Sequence, residues 1–195
     1  MTQATISKGR RQSTAYCYLD PARRRPNLTI QTGAMGESLI LEGKSCVGIR
    51  YSVKGDAREA RATREVIVSS GSINSPKLLE LSGIGQPELL QKYGIDVLHE
   101  LPGVGESLRD HYSPRMKYAI SEKNATFSER GTGLRLIGEA MKYAFFRKGF
   151  IALSTVPLRM YFRTREGLES PDATISFMPF LTERINRARV ISKQP

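Results

Sequence analysis

Glu65-Val66-Ile67-Val68-Ser69-Ser70-Gly71-Ser72-Ile73-Asn74-Ser75-Pro76-Lys77-Leu78-Leu79-Glu80-Leu81-Ser82-Gly83-Ile84-Gly85 changes its period halfway along. The β-branched run Val66 to Val68 has the composition of a strand. The four small residues Ser69 to Ser72 then let another backbone or a ligand approach closely. A helix follows almost at once: Ser75 suits an N-cap, Pro76 suits the first helical position, and Leu78, Leu79 and Leu81 supply an apolar face. Gly83 and Gly85 stop it. A strand that runs straight into a helix through a turn of small side chains sets the frame for the rest of the chain.

Upstream, Val47, Ile49, Tyr51 and Val53 alternate with Gly48, Arg50 and Ser52, the period of a strand with one face buried. Ser38 to Leu41 precedes it across the break Glu42-Gly43-Lys44, and Lys54-Gly55-Asp56 turns the chain again. A return strand over Ala62 to Val68 completes an antiparallel three-stranded meander, with Leu28-Thr29-Ile30 as a further strand before it. Downstream, Pro87, Glu88, Leu89, Leu90, Tyr93 and Gly94 spell a second short helix. Composition shifts after Pro102-Gly103-Val104-Gly105, which places a domain crossing near Asp110-His111. Beyond it, strands are expected over Met116 to Ile120, Leu158 to Phe162 and Ala173 to Met178. The longest helix falls on Leu134 to Phe146, and a basic tail, helical or frayed, runs from Thr182 to Pro195. The fold class is α+β.

With 195 residues, 39% of them apolar and 25% charged, the chain has the make-up of a globular protein. It contains no apolar run long enough to span a bilayer and no basic-then-apolar leader at Met1 to Thr5, so a cytoplasmic protein is expected, with peripheral membrane association left open. Cys17 and Cys46 have no metal-ligand spacing and read as reduced thiols. The net charge of +11 raises the question of a polyanionic partner. The arginines are scattered, however, in small clusters at Arg10-Arg11, Arg23 to Arg25, Arg58/Arg61/Arg64 and Arg184/Arg187/Arg189, with no aromatic-rich or recognition-helix pattern beside them. Nucleic acid is therefore not the expected partner.

Gly71 to Gly85 resembles, position for position, the second characteristic motif of the glucose-methanol-choline oxidoreductases. Leu101-Pro102-Gly103-Val104-Gly105-Glu106-Ser107-Leu108-Arg109-Asp110-His111 is similar to that family's PGVGENLQDH stretch, with Ser107 and Arg109 standing where Asn and Gln are usual. Arg11 to Ala15 and Asn27 to Ile30 upstream, and Phe162-Arg163-Thr164 with Ser170-Pro171-Asp172 downstream, resemble weaker landmarks. The likeness runs from about Lys8 to Pro179 and looks closest to the choline dehydrogenase and alcohol dehydrogenase branch.

The resemblance implies an FAD-dependent enzyme that oxidises a small-molecule alcohol by hydride transfer to the flavin. It implies that residues 1–110 are part of an FAD-binding domain and 111–195 part of a substrate-binding domain. It places Ser70, Gly71 and Ser72 near the FAD, together with Gly36, where the family often has a Val whose main chain meets the adenine. The family's catalytic histidine pair has no counterpart here: His99 and His111 are the only histidines, and neither lies in the matching motif. A GxGxxG turn after a first strand, which would receive the pyrophosphate at a helix N-terminus, is also missing, since Gly83-Ile84-Gly85 closes a helix. The chain alone is therefore expected to be an inactive fragment. Two other readings stand beside this one: a non-catalytic basic binding module on the same scaffold, and one subunit of a split enzyme whose partner chain carries the missing segments.

Overall fold

The computed structural model describes residues 5–118, 120–121 and 126–180, and the backbone of 182–185 and 188–191. In chain order, a two-residue ladder pairs Ile6–Ser7 (β1) with Arg10–Arg11 (β2), and a π-helical turn over Ala15–Leu19 passes into Asp20–Ala22 (α1). Then come Ala34–Glu42 (β3), Ser45–Val53 (β4), Asp56–Arg61 (β5), Gly71–Leu81 (α2), Ile84–Gly85 (β6), Pro87–Lys92 (α3) and His99–Glu100 (β7). The remainder holds Phe127–Arg130 (α4), Gly133–Phe146 (α5), Leu158–Phe162 (β8), Ala173–Phe177 (β9), Thr182–Ile185 (β10) and Ala188–Ile191 (β11). Helices and mainly antiparallel sheets make this an α+β protein.

Two compact units form: Thr29–Ser113, and Met1–Leu28 together with Pro114–Pro195. The first is built on the antiparallel sheet β3-β4-β5. Its apolar core is Leu39 and Ile40 of β3, Leu78 of α2, Leu90 of α3 and Val104, the buried apolar residues among those described. The outer edge of β3 is tied to α2 at Leu39. Leu39 N donates to Ser82 Oγ at 2.7 Å, and that hydroxyl donates in turn to Leu78 O at 2.5 Å. The C-terminal end of α2 thus satisfies a strand edge that would otherwise offer a bare amide.

Gly83, at φ +78°, reverses the chain after α2. A Cβ there would fall 2.5 Å from Asp96 O and 2.9 Å from Leu98 Cγ, so both the backbone angle and the close approach require glycine. Gly83 O accepts from Leu98 N and His99 N at 2.9 and 3.0 Å, and Gly85 O accepts from Leu101 N at 2.9 Å. Through these bonds β6 and β7 pair in parallel, Ile84 opposite His99, with α3 as the crossover.

In the other unit, Thr126 and Glu129 form a reciprocal capping box on α4. Phe127 meets Phe150 with ring centroids 5.2 Å apart, and β8 pairs antiparallel with β9. The Glu139 carboxylate on α5 accepts from Phe150 N at 3.3 Å beside Gly149, which takes φ +93°.

Several expected elements differ. The third meander strand is β5, not Ala62 to Val68, and Leu28 to Ile30 forms no ladder. α2 begins at Gly71, one turn earlier than Ser75 and Pro76 suggest. Pro76 is therefore inside the helix, and the Ser75 hydroxyl accepts from Ser70 N at 2.9 Å instead of capping its own helix. Met116 to Tyr118 is not a strand, and Ala119 lies outside the described residues. The basic tail contains the hairpin β10-β11, pairing Thr182 with Ile191, where a helix or frayed end is expected.

Candidate functional site

The sequence singles out the junction between Glu65 and Ser72, and the structure builds it from a segment outside any ladder and the first turn of α2. Val66 and Val68 are half-buried, Ile67 is 77% exposed, and Ser69 to Ser72 are all exposed. Gly71 takes φ +90°, and a Cβ added to it would meet no atom within 4 Å. Glycine is needed here for its backbone angle, and the space beside it is open. The first turn of α2 carries no acidic residue. The partial positive charge of an 11-residue helix is therefore uncompensated at an exposed end. Pro76, inside the helix, has no N–H to return to the Ser72 carbonyl.

Gly36 lies on β3 opposite Tyr51, beside a register shift between Gly36 and Ser38. A Cβ there would sit 3.4 Å from Ile49 Cδ1 and 3.8 Å from Leu78 Cδ1, ordinary contacts that leave room for a methyl group. Leu78 is two turns along α2 from Gly71, about 10 Å at 1.5 Å per residue. The structure thus gathers Ser70, Gly71 and Ser72 at one end of α2 and sets Gly36 against the middle of it. The cavity of about 360 Å³ beside α2 and α3, lined by Leu81, Leu89, Leu90 and Tyr93 with Lys77 and Glu80, includes none of the four.

For an FAD, these residues fit one wall. They offer an open cradle at Gly71, exposed serine hydroxyls and a helix N-terminus free of acidic side chains, the donor chemistry a pyrophosphate needs. No side chain among them is an acid or base. His99 and His111 are both exposed, and neither imidazole makes a hydrogen bond among the described residues; His111 N donates to Asp110 Oδ1 at 2.8 Å. No cluster of three potential metal ligands occurs among the described residues, and no described helix is long and apolar enough to cross a membrane.

The profile of the GMC oxidoreductases matches residues 1–113, a span that includes the whole junction and both glycine-rich motifs. The chain belongs to the GMC oxidoreductase family. Oxygen-dependent choline dehydrogenase 1 of Chromohalobacter salexigens is 40% identical over 180 residues, covering 92% of this chain and 32% of the relative. A second oxygen-dependent choline dehydrogenase of that organism is 50% identical over 122 residues, covering 63% of the chain and 22% of the relative. The chain spans about a third of the length of the curated relatives it matches. Among solved structures, a formate oxidase superposes with a TM-score of 0.74 at 23% identity, over 91% of this chain and 34% of the other. An FAD-dependent oxidoreductase from Chaetomium thermophilum gives 0.64 at 23% identity, over 75% of this chain and 26% of the other. These two share the fold.

Sequence reasoning missed the parallel β6-β7 pair and the Ser82 tie to β3. Two-residue strands carry no periodic signal, and a serine before a glycine reads only as a helix end.

Proposed function

We propose that this chain forms the cofactor-facing strand-to-helix segment of an FAD-dependent GMC oxidoreductase that oxidises a small alcohol, and that choline is the substrate. The observation that carries the reading is the open, acid-free N-terminus of α2 at Gly71, within a stretch that the family profile covers. The choline assignment draws on the Chromohalobacter relative at 40% identity. Residues 1–110 then belong to the FAD-binding part and 111–195 to the substrate-binding part.

Bound FAD would supply a hydride acceptor for the alcohol carbon while a base takes the hydroxyl proton. Gly71 and Ser72 would hold the cofactor through main-chain N–H groups, and Ser70 and Ser72 through their hydroxyls, the Ser70 N–H being taken by Ser75 Oγ. Gly36 shapes the β3 face that packs on the same helix. Neither histidine serves as that base, because His99 and His111 are exposed and neither imidazole has an orienting partner among the described residues. Alone the chain is inactive.

The test replaces the 180 matched residues of the Chromohalobacter choline dehydrogenase with those of this chain. We expect the chimera to purify yellow with stoichiometric flavin and to be bleached by choline, and Gly71→Val to lower the flavin content at least tenfold. A folded, colourless chimera, or full flavin retention by Gly71→Val, sinks the assignment. The isolated chain is expected to purify colourless.

A further inference from the structure

α5 is held by its polar side and turns its apolar side outward. The Glu139 carboxylate accepts from Phe150 N at 3.3 Å and lies 3.9 Å from Lys142 Nζ, and Tyr143, one turn on, is half-buried. The opposite face carries Leu134, Ile137, Met141 and Phe145, spaced three and four residues apart so that the helix brings them into line. All four are exposed, at 85, 55, 53 and 78%. A surface helix of a globular protein ordinarily has its faces the other way round.

Cations flank this stripe at its C-terminal end. Lys142 lies on α5 itself, and Arg147 and Lys148 follow directly, all three exposed. The β1-β2 hairpin adds the exposed Lys8, Arg10 and Arg11. It approaches the end of α5 so closely that a Cβ on Gly9 would meet Arg147 O, with Arg147 Cβ 3.1 Å away. Arg10 lies over the Tyr16 ring and Arg147 over the Tyr143 ring, 3.9 and 4.8 Å from the centroids, which orients both guanidiniums without neutralising them. Acidic side chains are scarce beside them. The sequence has none before Asp20, and Glu139, already engaged by Phe150 N and Lys142, is the only one between Gly131 and Arg163.

We propose that the outward face of α5, with the β1-β2 hairpin beside its end, is a docking surface for an anionic lipid bilayer. The apolar stripe enters the boundary between headgroups and acyl chains while the cations meet the lipid phosphates, as in a helix that lies in the membrane plane. With 14 residues α5 is about 21 Å long, too short to cross a hydrocarbon core of about 30 Å, so it lies along the surface. A polynucleotide would match the cations and leave Leu134, Ile137, Met141 and Phe145 in water. A protein interior would match the stripe but take Lys142, Arg147 and Lys148 out of water, which is costly for unpaired cations. A layer apolar within and anionic at its face satisfies both halves. These residues lie outside the flavin wall, and the inference stands apart from the choline reading.

The chain contains no tryptophan, so Phe145→Trp sets a single reporter on the stripe. With the full chain we expect its emission to shift to the blue on phosphatidylglycerol vesicles and not on phosphatidylcholine vesicles, the shift fading as salt is raised. Ile137→Asp, and separately Arg147→Glu with Lys148→Glu, should each lower the fraction sedimenting with phosphatidylglycerol vesicles roughly tenfold or more. The circular dichroism of the free chain should not change, because all three side chains are exposed. Leu158→Asp, on the exposed β8, should leave sedimentation as it is. An equal loss from Leu158→Asp would assign the binding to exposed apolar surface in general and overturn the proposal. So would absence of binding, equal binding to both kinds of vesicle, or a blue shift without vesicles that grows with protein concentration, which would give the face to a second copy. In the Chromohalobacter chimera the same Phe145→Trp reporter should still respond to phosphatidylglycerol vesicles. Emission already blue and indifferent to vesicles would give the face to the rest of the enzyme and overturn the proposal as well. Vesicle binding by a colourless chimera leaves this inference standing and removes the flavin assignment.

Discussion

Replacing Ser82 with Ala removes one oxygen and breaks two hydrogen bonds. Leu39 N, on the outer edge of β3 in a residue 7% exposed, loses its acceptor at 2.7 Å, and Leu78 O loses the hydroxyl donor. Ser82 N does not compensate, since it bonds to Leu79 O. Stranding a buried donor costs about 1–3 kcal/mol, and an ordinary hydrogen bond contributes about 1 kcal/mol. The methyl that remains offers no compensating bond, so a net loss of about 2–3 kcal/mol is expected. For a unit of this size that lowers the melting temperature by about 8–24 °C, at about 4–8 °C per kcal/mol. The assay is urea titration followed by circular dichroism at 222 nm, comparing wild type, Ser82→Ala and Ser82→Thr, the last keeping the hydroxyl. An unchanged slope with a lower midpoint for Ser82→Ala, and at least half of the loss recovered by Ser82→Thr, is the expected result. A Ser82→Ala loss under about 0.5 kcal/mol, within the range of an ordinary surface change, would refute the view that this hydroxyl closes the sheet edge.

Gly83→Ala should cost more than Gly71→Ala, about 3 against about 1–2 kcal/mol, because both need a positive φ but only at Gly83 does the new Cβ meet backbone, the Asp96 carbonyl at 2.5 Å; equal midpoints in the same titration would contradict this. Gly36→Ala is expected to shift the midpoint by less than the equivalent of about 0.5 kcal/mol, since its Cβ finds ordinary contacts and no positive φ. Asp172 accepts from Thr164 Oγ1 at 2.6 Å and from Thr164 N at 2.9 Å, and the side-chain bond followed by the main-chain bond holds its carboxyl below the usual value. Its contribution to the turn between β8 and β9 is therefore present above about pH 4 and lost as pH falls through the lowered value. Asp172→Asn should flatten that acid dependence when the Thr164 amide is followed by nuclear magnetic resonance, and an unchanged profile would count against it.

How much of this was legible beforehand follows from where burial leaves a mark. β3 and β4 are readable because Leu39 and Ile40 are a buried apolar pair and Val47, Ile49, Tyr51 and Val53 recur at every second position. β5 is not, because Asp56-Ala57-Arg58-Glu59-Ala60-Arg61 is exposed along its whole length. It is held by the ladder to β4, with Arg50–Glu59 and Arg61–Glu42 ion pairs across the surface, and none of that appears in an apolar pattern. Val66 to Val68 misleads for the opposite reason: it has the strand composition but no partner among the described residues. At the candidate site, Gly71 and its serines announce themselves through the small-residue turn. The earlier start of α2 does not, since Ser75 and Pro76 form a sound local start signal that the fold overrides by using the Ser75 hydroxyl on Ser70 N.

The bond between Leu39 and Ser82 joins residues 43 apart in the chain, whereas Leu98, His99 and Leu101 reach Gly83 and Gly85 across about a third of that distance. Each doubling of a closed loop costs about 0.6 kcal/mol of chain entropy, so the stretch from α2 to β7 is the cheaper one to close and should form first. The meander then docks onto it last, through the Leu39–Ser82 bond and the apolar packing of β3 on α2 at Leu78. Ser82→Ala should accordingly speed unfolding and leave the refolding rate almost untouched in stopped-flow measurements, and a slowed refolding limb would reverse that order. The point of lowest kinetic resistance in this unit is the seam where the sheet edge meets the end of α2.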